Sequence, residues 1–469
     1  MTFSHHFHPS VLREYDIRGI IGETLGPSDA FAVGRCFGSV IAREGGRSVA
    51  VGYDGRLSSP SLEPELVAGL KASGITVARV GRGPTPMLYY ASVTEATDGA
   101  VMVTGSHNPP DHNGFKMILG GKPFYGKAIR DLGRLAEAGD VVPEKTGSEH
   151  AVSMAEAYVT RLREGWDGGN RELSVVWDNG NGAAGEVLAM LIKRLPGRHA
   201  LLNGTIDGRF PAHHPDPTVP KNLEQLIAEV RARGADVGIA VDGDADRLGV
   251  VDDTGAILFG DQLMVLLSRD LLSRHPGATI IADVKASQAL FDEIARAGGE
   301  PLMWRTGHSL IKAKMAETGA PLAGEMSGHL FFAERWYGFD DAIYAAVRFL
   351  GVLARQSDPL SALRRALPQL VNTPELRFPC PDERKFAIID EVAGRLRRNG
   401  VALTDIDGVR VTTPDGWWLL RASNTQAVLV ARAEAKDDEG LERLKAALVA
   451  ELEAAGVAPP DFTAASSGH

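Results

Sequence analysis

An alternation repeated along the chain limits what it can fold into: a short apolar run, a turn rich in Gly or Asp, then an amphipathic helix. Apolar positions Val33, Phe37, Val40 and Ile41 recur at helical spacing behind Ser28, which predicts a helix capped there. The run from Ser48 to Tyr53 predicts a strand, and Ser59-Pro60 beyond it is a good helix start. The pattern returns with strands expected over Leu173 to Trp177, Ala235 to Val241 and Ala278 to Ala282. Strands that alternate with helices put helices on the faces of parallel or mixed sheets. The expected fold class is α/β.

The C-terminal part breaks this rhythm. Val409 to Thr413, the turn Pro414-Asp415-Gly416 and Trp417 to Leu420 predict a hairpin, and Ala427 to Ala431 a further strand. Leu441, Leu444, Leu448 and Leu452 then mark one face of a helix. Strands grouped before a helix predict a smaller α+β domain. The chain of 469 residues exceeds one ordinary core, and about 150 residues per domain suggests three or four. Polar or Pro-containing stretches at 141–152 and 356–378 are the best linker candidates, with a weaker boundary near 255. The expected domains are therefore 1–150, 151–255, 256–367 and 368–469. The tail AASSGH is expected to be disordered.

Composition excludes several classes. A net charge of −10 argues against a general nucleic-acid or anionic-membrane binder, since both need basic surface, but leaves room for a local basic cleft. The only two cysteines, Cys36 and Cys380, cannot build a disulfide framework and suit a reducing compartment. The segment MTFSHHFHPSVLREYD has no basic region followed by an apolar one, so no secretory signal is expected, and no apolar run approaches the roughly 20 residues of a membrane span. The expectation is a cytoplasmic, multidomain protein with no nucleic-acid or membrane partner. Oligomeric state leaves no mark in the sequence.

Four polar loops follow apolar runs, where ligands bind in open α/β sheets. Thr104-Gly105-Ser106-His107-Asn108-Pro109 places a serine in a turn at a strand end, where it is expected to be exposed. It lacks the G-x-S-x-G elbow of hydrolases, so a Ser-His-Asp triad is not implied. Asp242-Gly243-Asp244-Ala245-Asp246-Arg247 sets three carboxylates at alternate positions. At roughly 5 Å separation each pair repels by about 3 kcal/mol at an effective dielectric near 20, and a hard divalent cation removes that cost. The register of an EF-hand is absent. Gly324-Glu325-Met326-Ser327-Gly328-His329 offers donors and acceptors suited to sugar hydroxyls, and its histidine is a candidate proton carrier. Arg421-Ala422-Ser423-Asn424-Thr425 sets a guanidinium fork beside hydroxyl and amide donors, good chemistry for a phosphate dianion. A fifth stretch, Gly180-Asn181-Gly182-Ala183-Ala184-Gly185, satisfies the dinucleotide pattern G-x-G-x-x-G, with Asp207 at roughly the expected distance. The run Leu201 to Gly208 makes a poor second strand, which favours a tight strand-to-helix turn instead.

Taken in this order, the loops resemble those of the α-D-phosphohexomutase superfamily, and specifically its bifunctional phosphomannomutase/phosphoglucomutase branch. The resemblance runs from Tyr15-Asp16-Ile17-Arg18-Gly19 to Arg421-Ala422-Ser423-Asn424-Thr425. It implies three α/β domains with mixed sheets and a smaller fourth around a central cleft, each giving one loop. It implies that Ser106 is phosphorylated and that Asp242, Asp244 and Asp246 hold Mg²⁺ together with a phosphoserine oxygen. Glu325 and Ser327 are then the sugar ligands, and Arg421, Ser423, Asn424 and Thr425 the clamp on the non-reacting phosphate. Supporting matches are Tyr15, Arg18, His107, Lys116, Arg247, Lys285, His308 and His329. Arg18 and Lys116 would add positive charge around the moving phosphoryl group, and His329, His308 or Lys116 would carry the hydroxyl proton.

The implied reaction interconverts hexose 1-phosphate and hexose 6-phosphate through a 1,6-bisphosphate that must turn end over end, with glucose 1,6-bisphosphate as activator. Met326 resembles the glucose- and mannose-directed branch, where phosphoglucosamine mutases usually carry Gln. One departure is Gln426-Ala427 after Thr425, where the family commonly has a polar residue and Pro; this is expected to loosen the clamp. The competing readings are a phosphoglucosamine mutase, a dinucleotide-dependent oxidoreductase resting on Gly180 to Gly185, and a non-catalytic sugar-phosphate sensor.

Overall fold

The computed structural model describes residues 3–169 and 171–462 and contains four sheets. The tail AASSGH lies outside the described residues.

In the first sheet the parallel strands Ser48–Tyr53, Thr76–Arg82 and Gly99–Val103 form the centre, and Gly99–Val103 pairs antiparallel with His112–Leu119. Ile17–Ile20 completes that edge antiparallel. In the second, Val237–Val241 runs parallel to Ser174–Asp178 and antiparallel to Leu248–Asp252. In the third, Leu322–Gly324 runs parallel to Thr279–Asp283 and antiparallel to Leu330–Phe332. In each of these mixed sheets, one turn that joins a parallel strand to an antiparallel neighbour carries Ser106, the three aspartates or Glu325. The fourth sheet pairs antiparallel throughout, with Gly416–Ala422 against Val428–Ala435, and the helix Asp438–Ala454 covers it. The expected α/β units and the smaller α+β unit are all present.

Local differences have plain causes. The first helix spans Pro27–Arg43, so Ser28 lies inside it, and Asp29 accepts the Gly26 N–H at 2.8 Å. The stretch 141–152 is not a bare linker, because Glu149–Ala151 adds a parallel strand at the edge of the first sheet. Similarly, 356–378 contains the helix Leu360–Arg365 and strands at Val371–Asn372 and Leu376–Pro379. Strand Val428–Ala435 runs further than its apolar start suggested because Arg432 and Glu434 are buried against the third unit.

The first three sheets share one apolar core, in which Tyr90 and Tyr158 meet Trp336 and Tyr344 at their junction. The fourth has its own core and touches the third through the small cluster of Val284, Trp417 and Leu419. Arg410 lies over the Trp417 ring and donates to the Val284 carbonyl at 2.6 Å. Among the described residues no helix is long and apolar enough to cross a membrane.

Candidate active site

The four loops converge on one cleft of about 550 Å³. Ser106 is the nucleophile candidate, and it is not exposed as expected: it lies 3 % accessible at the cleft floor. Gly243 of the aspartate loop packs against its carbonyl, a burial no local pattern could reveal. The serine adopts φ +47°, a conformation unusual for a residue other than glycine, and a buried frame holds it there. Asp54 accepts the Thr104 hydroxyl at 2.8 Å and the Gly105 N–H at 3.0 Å, while Thr104 Oγ1 accepts the Ser106 N–H. The Arg56 guanidinium donates to the carbonyls of Ser106, Asn108, Pro109 and His112 at 2.5 to 2.9 Å. A Cβ on Gly105 would fall 2.2 Å from that guanidinium, so only glycine fits. Arg18 adds a bond to the Gly105 carbonyl at 2.8 Å and pairs with Asp16.

Ser106 Oγ donates to Asp242 Oδ2 at 2.8 Å and lies 3.1 Å from His107 Nδ1. Asp242, Asp244 and Asp246 are fully buried rather than forming a solvated turn, and each offers an oxygen within 4.8 Å of the others. Lys116 reaches across from the first sheet, donating to Asp244 Oδ2 at 2.7 Å and to Asp246. Burial and the neighbouring Asp246 and Asp244 push the Asp242 carboxyl well up. Burial also opposes ionised Asp244, but Lys116 outweighs it and holds that carboxyl low. The same pairing overcomes burial at Lys116 and keeps its ammonium charged. Three carboxylates against Lys116 and Arg247 leave excess negative charge, and Asp244 Oδ1 and Asp246 Oδ1 are buried without a hydrogen bond among the described residues. Buried oxygens of that kind, all from hard ligands, fit a divalent cation. Burial, then Arg247, Arg18 and Lys116, keep His107 well below its ordinary range, and hence neutral.

From the third unit, Glu325 accepts the Gly307 N–H at 2.6 Å, and Ser327 is half-buried at the cleft wall. His329 stacks on His308 at 5.5 Å and accepts from Arg247 Nε at 3.1 Å. Lys285 pairs with Glu375 of the fourth unit at 2.9 Å. From that unit, Arg421 is held by Asp407 at 3.0 Å, while Ser423, Asn424 and Thr425 line the cleft beside it. Tyr15 joins three units: its hydroxyl donates to the Thr306 carbonyl at 2.8 Å and accepts from Asn424 Nδ2 at 2.7 Å. The residues of the four loops, with Tyr15, Arg18, Lys116, Lys285 and His308, therefore lie in the cleft or directly behind it.

Two expectations change. Where the proline is lost, the chain has side-chain restraints: Gln426 Oε1 accepts from Arg377 and its carbonyl accepts from Lys385, both at 2.9 Å. The glycine-rich turn after Ser174–Asp178 supports the aspartate loop instead of a dinucleotide: Ala183 N–H donates to the Gly243 carbonyl at 2.9 Å, and Asp207 is bound to Arg209. A strand beyond it exists, at Arg198–Leu202, and takes in the first two residues of the Leu201 to Gly208 stretch. Sequence reasoning missed Asp54, Arg56, Thr85, Arg377 and Asp340. Asp54-Gly55-Arg56 carried a usable signal, being a polar turn after an apolar strand like the other four; Thr85, a donor to Asp244 at 2.5 Å, carried none.

The comparisons agree with this geometry along nearly the whole chain. Family models for phosphoglucomutase/phosphomannomutase match four times: alpha/beta/alpha domain I over 10–140, II over 156–255, III over 259–371, and the C-terminal domain over 375–451. The phosphomannomutase/phosphoglucomutase of Pseudomonas aeruginosa is 46% identical over 445 residues, covering 95% of this chain and 96% of that one. A phosphoglucomutase of Neisseria gonorrhoeae is 44% identical over 438 residues, covering 93% and 95%. The crystal structure of a phosphoglucomutase/phosphomannomutase family protein from Burkholderia thailandensis superposes with a TM-score of 0.92 at 45% identity, over 97% of this chain and 100% of that one. With the fold, the cleft and all four domain matches in agreement, this chain belongs to the phosphoglucomutase/phosphomannomutase family.

Proposed function

We propose that the protein interconverts hexose 1-phosphate and hexose 6-phosphate, with glucose and mannose as the sugars, through phosphorylated Ser106 and a hexose 1,6-bisphosphate. The observation that carries this reading is Ser106 Oγ set 2.8 Å from Asp242 of a buried aspartate triad, facing the loop of Arg421, Ser423, Asn424 and Thr425 across one cleft.

Asp242, Asp244 and Asp246 would hold Mg²⁺, which when bound supplies positive charge at the phosphoryl group. Arg18 and Lys116 add fixed cations to the same side of the cleft. Arg421, with Ser423, Asn424 and Thr425, holds the phosphate that is not reacting, while Glu325 and Ser327 orient the ring hydroxyls. Phosphoryl transfer needs such placement and neutralisation more than covalent help. In the first transfer a substrate hydroxyl oxygen bonds to phosphorus as the bond from phosphorus to Ser106 Oγ breaks. Lys116 is held charged by its aspartates, so the hydroxyl proton passes to His308 or His329. The departing serine oxygen takes up a proton from solvent in the cleft, and neutral His107, 3.1 Å from Ser106 Oγ, is a hydrogen-bond partner there and not the acid. The bisphosphate then turns over and returns its other phosphoryl group to Ser106 by the reverse steps. Bisphosphate lost during turnover leaves Ser106 bare, which accounts for glucose 1,6-bisphosphate as activator.

The test combines a coupled assay of glucose 1-phosphate and mannose 1-phosphate with peptide mass spectrometry after incubation with glucose 1,6-bisphosphate. Phosphate is expected on Ser106, and Ser106→Ala is expected to be inactive. Full activity in that variant, or a clear preference for glucosamine 6-phosphate, sinks the proposal.

A further inference from the structure

We propose that Glu375 is a displaceable stand-in for the non-reacting phosphate: its carboxylate holds Lys285 and Arg377 beside Arg421, and an arriving phosphate takes those cations over. The inference rests on the reading of the Arg421 loop as the phosphate clamp, and it adds Arg377 to that clamp.

Glu375 directly precedes the strand Leu376–Pro379 and lines the same cleft as Arg421, Ser423 and Thr425. Its Oε2 accepts from Lys285 Nζ of the third unit at 2.9 Å. Its Oε1 lies 2.6 Å from Arg377 Nη2. The carboxylate therefore spans two cations, one on each oxygen, with its side chain only 12 % exposed. Burial works against its charge, yet Lys285, Arg377 and Arg421 outweigh burial and hold the carboxyl well below its ordinary range.

Two neighbouring acids show what a purely structural partner looks like here. Asp407 accepts from Arg421 Nε at 3.0 Å, and Asp283 Oδ2 stands 3.9 Å from Lys285 Nζ. Both stand behind their cations, outside the cleft wall, where they orient those cations without meeting a ligand. Glu375 is on the ligand's side. A carboxylate and a phosphate present the same hard, anionic oxygens to guanidinium and ammonium groups, so the two cannot fill one cation cluster together. Arg377 has a second holder, because its Nη1 donates to Gln426 Oε1 at 2.9 Å, and the guanidinium keeps its place when the carboxylate leaves. A bisphosphate that turns end over end must be released by this clamp and bound again. A carboxylate that returns to Lys285 and Arg377 as the phosphate departs lowers the cost of letting go.

The experiment titrates the full-length protein with inorganic phosphate in EDTA, followed by isothermal calorimetry, for the wild type, Glu375→Gln and Arg421→Ala. Glutamine keeps the shape and loses the charge, so Glu375→Gln should bind phosphate about tenfold more tightly, whereas Arg421→Ala should weaken binding. In steady-state assays Glu375→Gln should lower KM for glucose 1-phosphate and kcat together, the mark of a ground state held too firmly. A simple latch between units would do the opposite and raise KM on removal. Phosphate binding that is unchanged or weaker in Glu375→Gln overturns the proposal. If that variant does not fold, a crystal structure of the wild type with phosphate decides. Phosphate on Arg421 with Glu375 turned away from Lys285 is expected, and Glu375 still bridging Lys285 and Arg377 beside the bound phosphate overturns the proposal. Phosphate binding indifferent to Arg421→Ala would fail the clamp reading, and the proposal with it, a result distinct from an unresponsive Glu375→Gln.

Discussion

Asp242→Asn separates two roles that the aspartate loop combines. Asp242 Oδ1 accepts the N–H groups of Asp246 and Arg247 at 3.0 and 3.1 Å, and an asparagine oxygen can accept the same two. Its other oxygen accepts the Ser106 hydroxyl, which can equally accept from an amide. The backbone of the loop is therefore kept, and what is lost is charge. With carboxylate oxygens within 4.8 Å of one another, each ionised pair repels by about 3 kcal/mol at an effective dielectric near 20. With two such neighbours Asp242 faces about 6 kcal/mol, and Lys116 and Arg247 recover most of it, leaving a net penalty of about 2 kcal/mol in the metal-free protein. Removing it should raise the melting temperature in EDTA by about 4 to 8 °C, on the scale of 2–4 °C per kcal/mol for a unit of this size. Excess Mg²⁺ should raise the wild-type melting temperature and leave the variant nearly unmoved, since ligand stabilisation follows affinity. Mutase activity should be lost. Differential scanning calorimetry with and without metal reads all of this except activity. A variant that melts well below the wild type in EDTA would show the carboxylate to be a structural element, and the reasoning would fail.

Two further outcomes follow from named contacts. Arg421→Ala removes a charge-assisted phosphate contact of roughly 1.5–3 kcal/mol, so KM for both sugar phosphates should rise about tenfold or more, with greater dependence on added glucose 1,6-bisphosphate; unchanged KM would place the clamp elsewhere. Burial raises the Asp341 carboxyl to about 7, so the folded chain keeps a proton that the unfolded chain releases from about pH 4 upward. Its stabilising contribution is thus complete below the unfolded value and is lost as pH rises through 7, at up to about 1.4 kcal/mol per unit. Asp341→Asn cannot ionise and should gain on the wild type by about 2–3 kcal/mol between pH 5 and pH 8, measured by urea unfolding; parallel pH profiles would refute it.

The strand ends were legible because apolar runs stop at polar turns, and Ser106, Asp242, Glu325 and Arg421 all stand just past such a stop. The C-terminal hairpin was legible from Pro414-Asp415-Gly416 for the same reason. Burial was not. Ser106 reads as an exposed turn residue until Gly243, far along the chain, closes over its carbonyl. Nor could periodicity pair Lys116 with Asp244 or Lys312 with Asp340, because these contacts join different elements and in the first case different sheets. The restraints on Gln426 were not legible because their donors, Arg377 and Lys385, lie some forty to fifty residues upstream. Family resemblance supplied the expected roles, and tertiary structure supplied the partners.

Three mixed sheets, each with one strand reversal that carries Ser106, the acidic triad or Glu325, have a consequence for how such proteins diversify. Equivalent corners of three similar units are the pattern that tandem duplication of one ancestral unit leaves behind. The corners touch through their backbones, with Leu248 N–H donating to the Gly328 carbonyl at 2.9 Å and Gly243 packed on the Ser106 carbonyl, so drift is confined to side chains outside those contacts. Selection for a new sugar can then act between Gly324 and Leu330 while the Ser106 and Asp242 corners stay fixed. Paralogues with other hexose preferences should differ first in that short interval, and a transplanted interval should carry the preference with it.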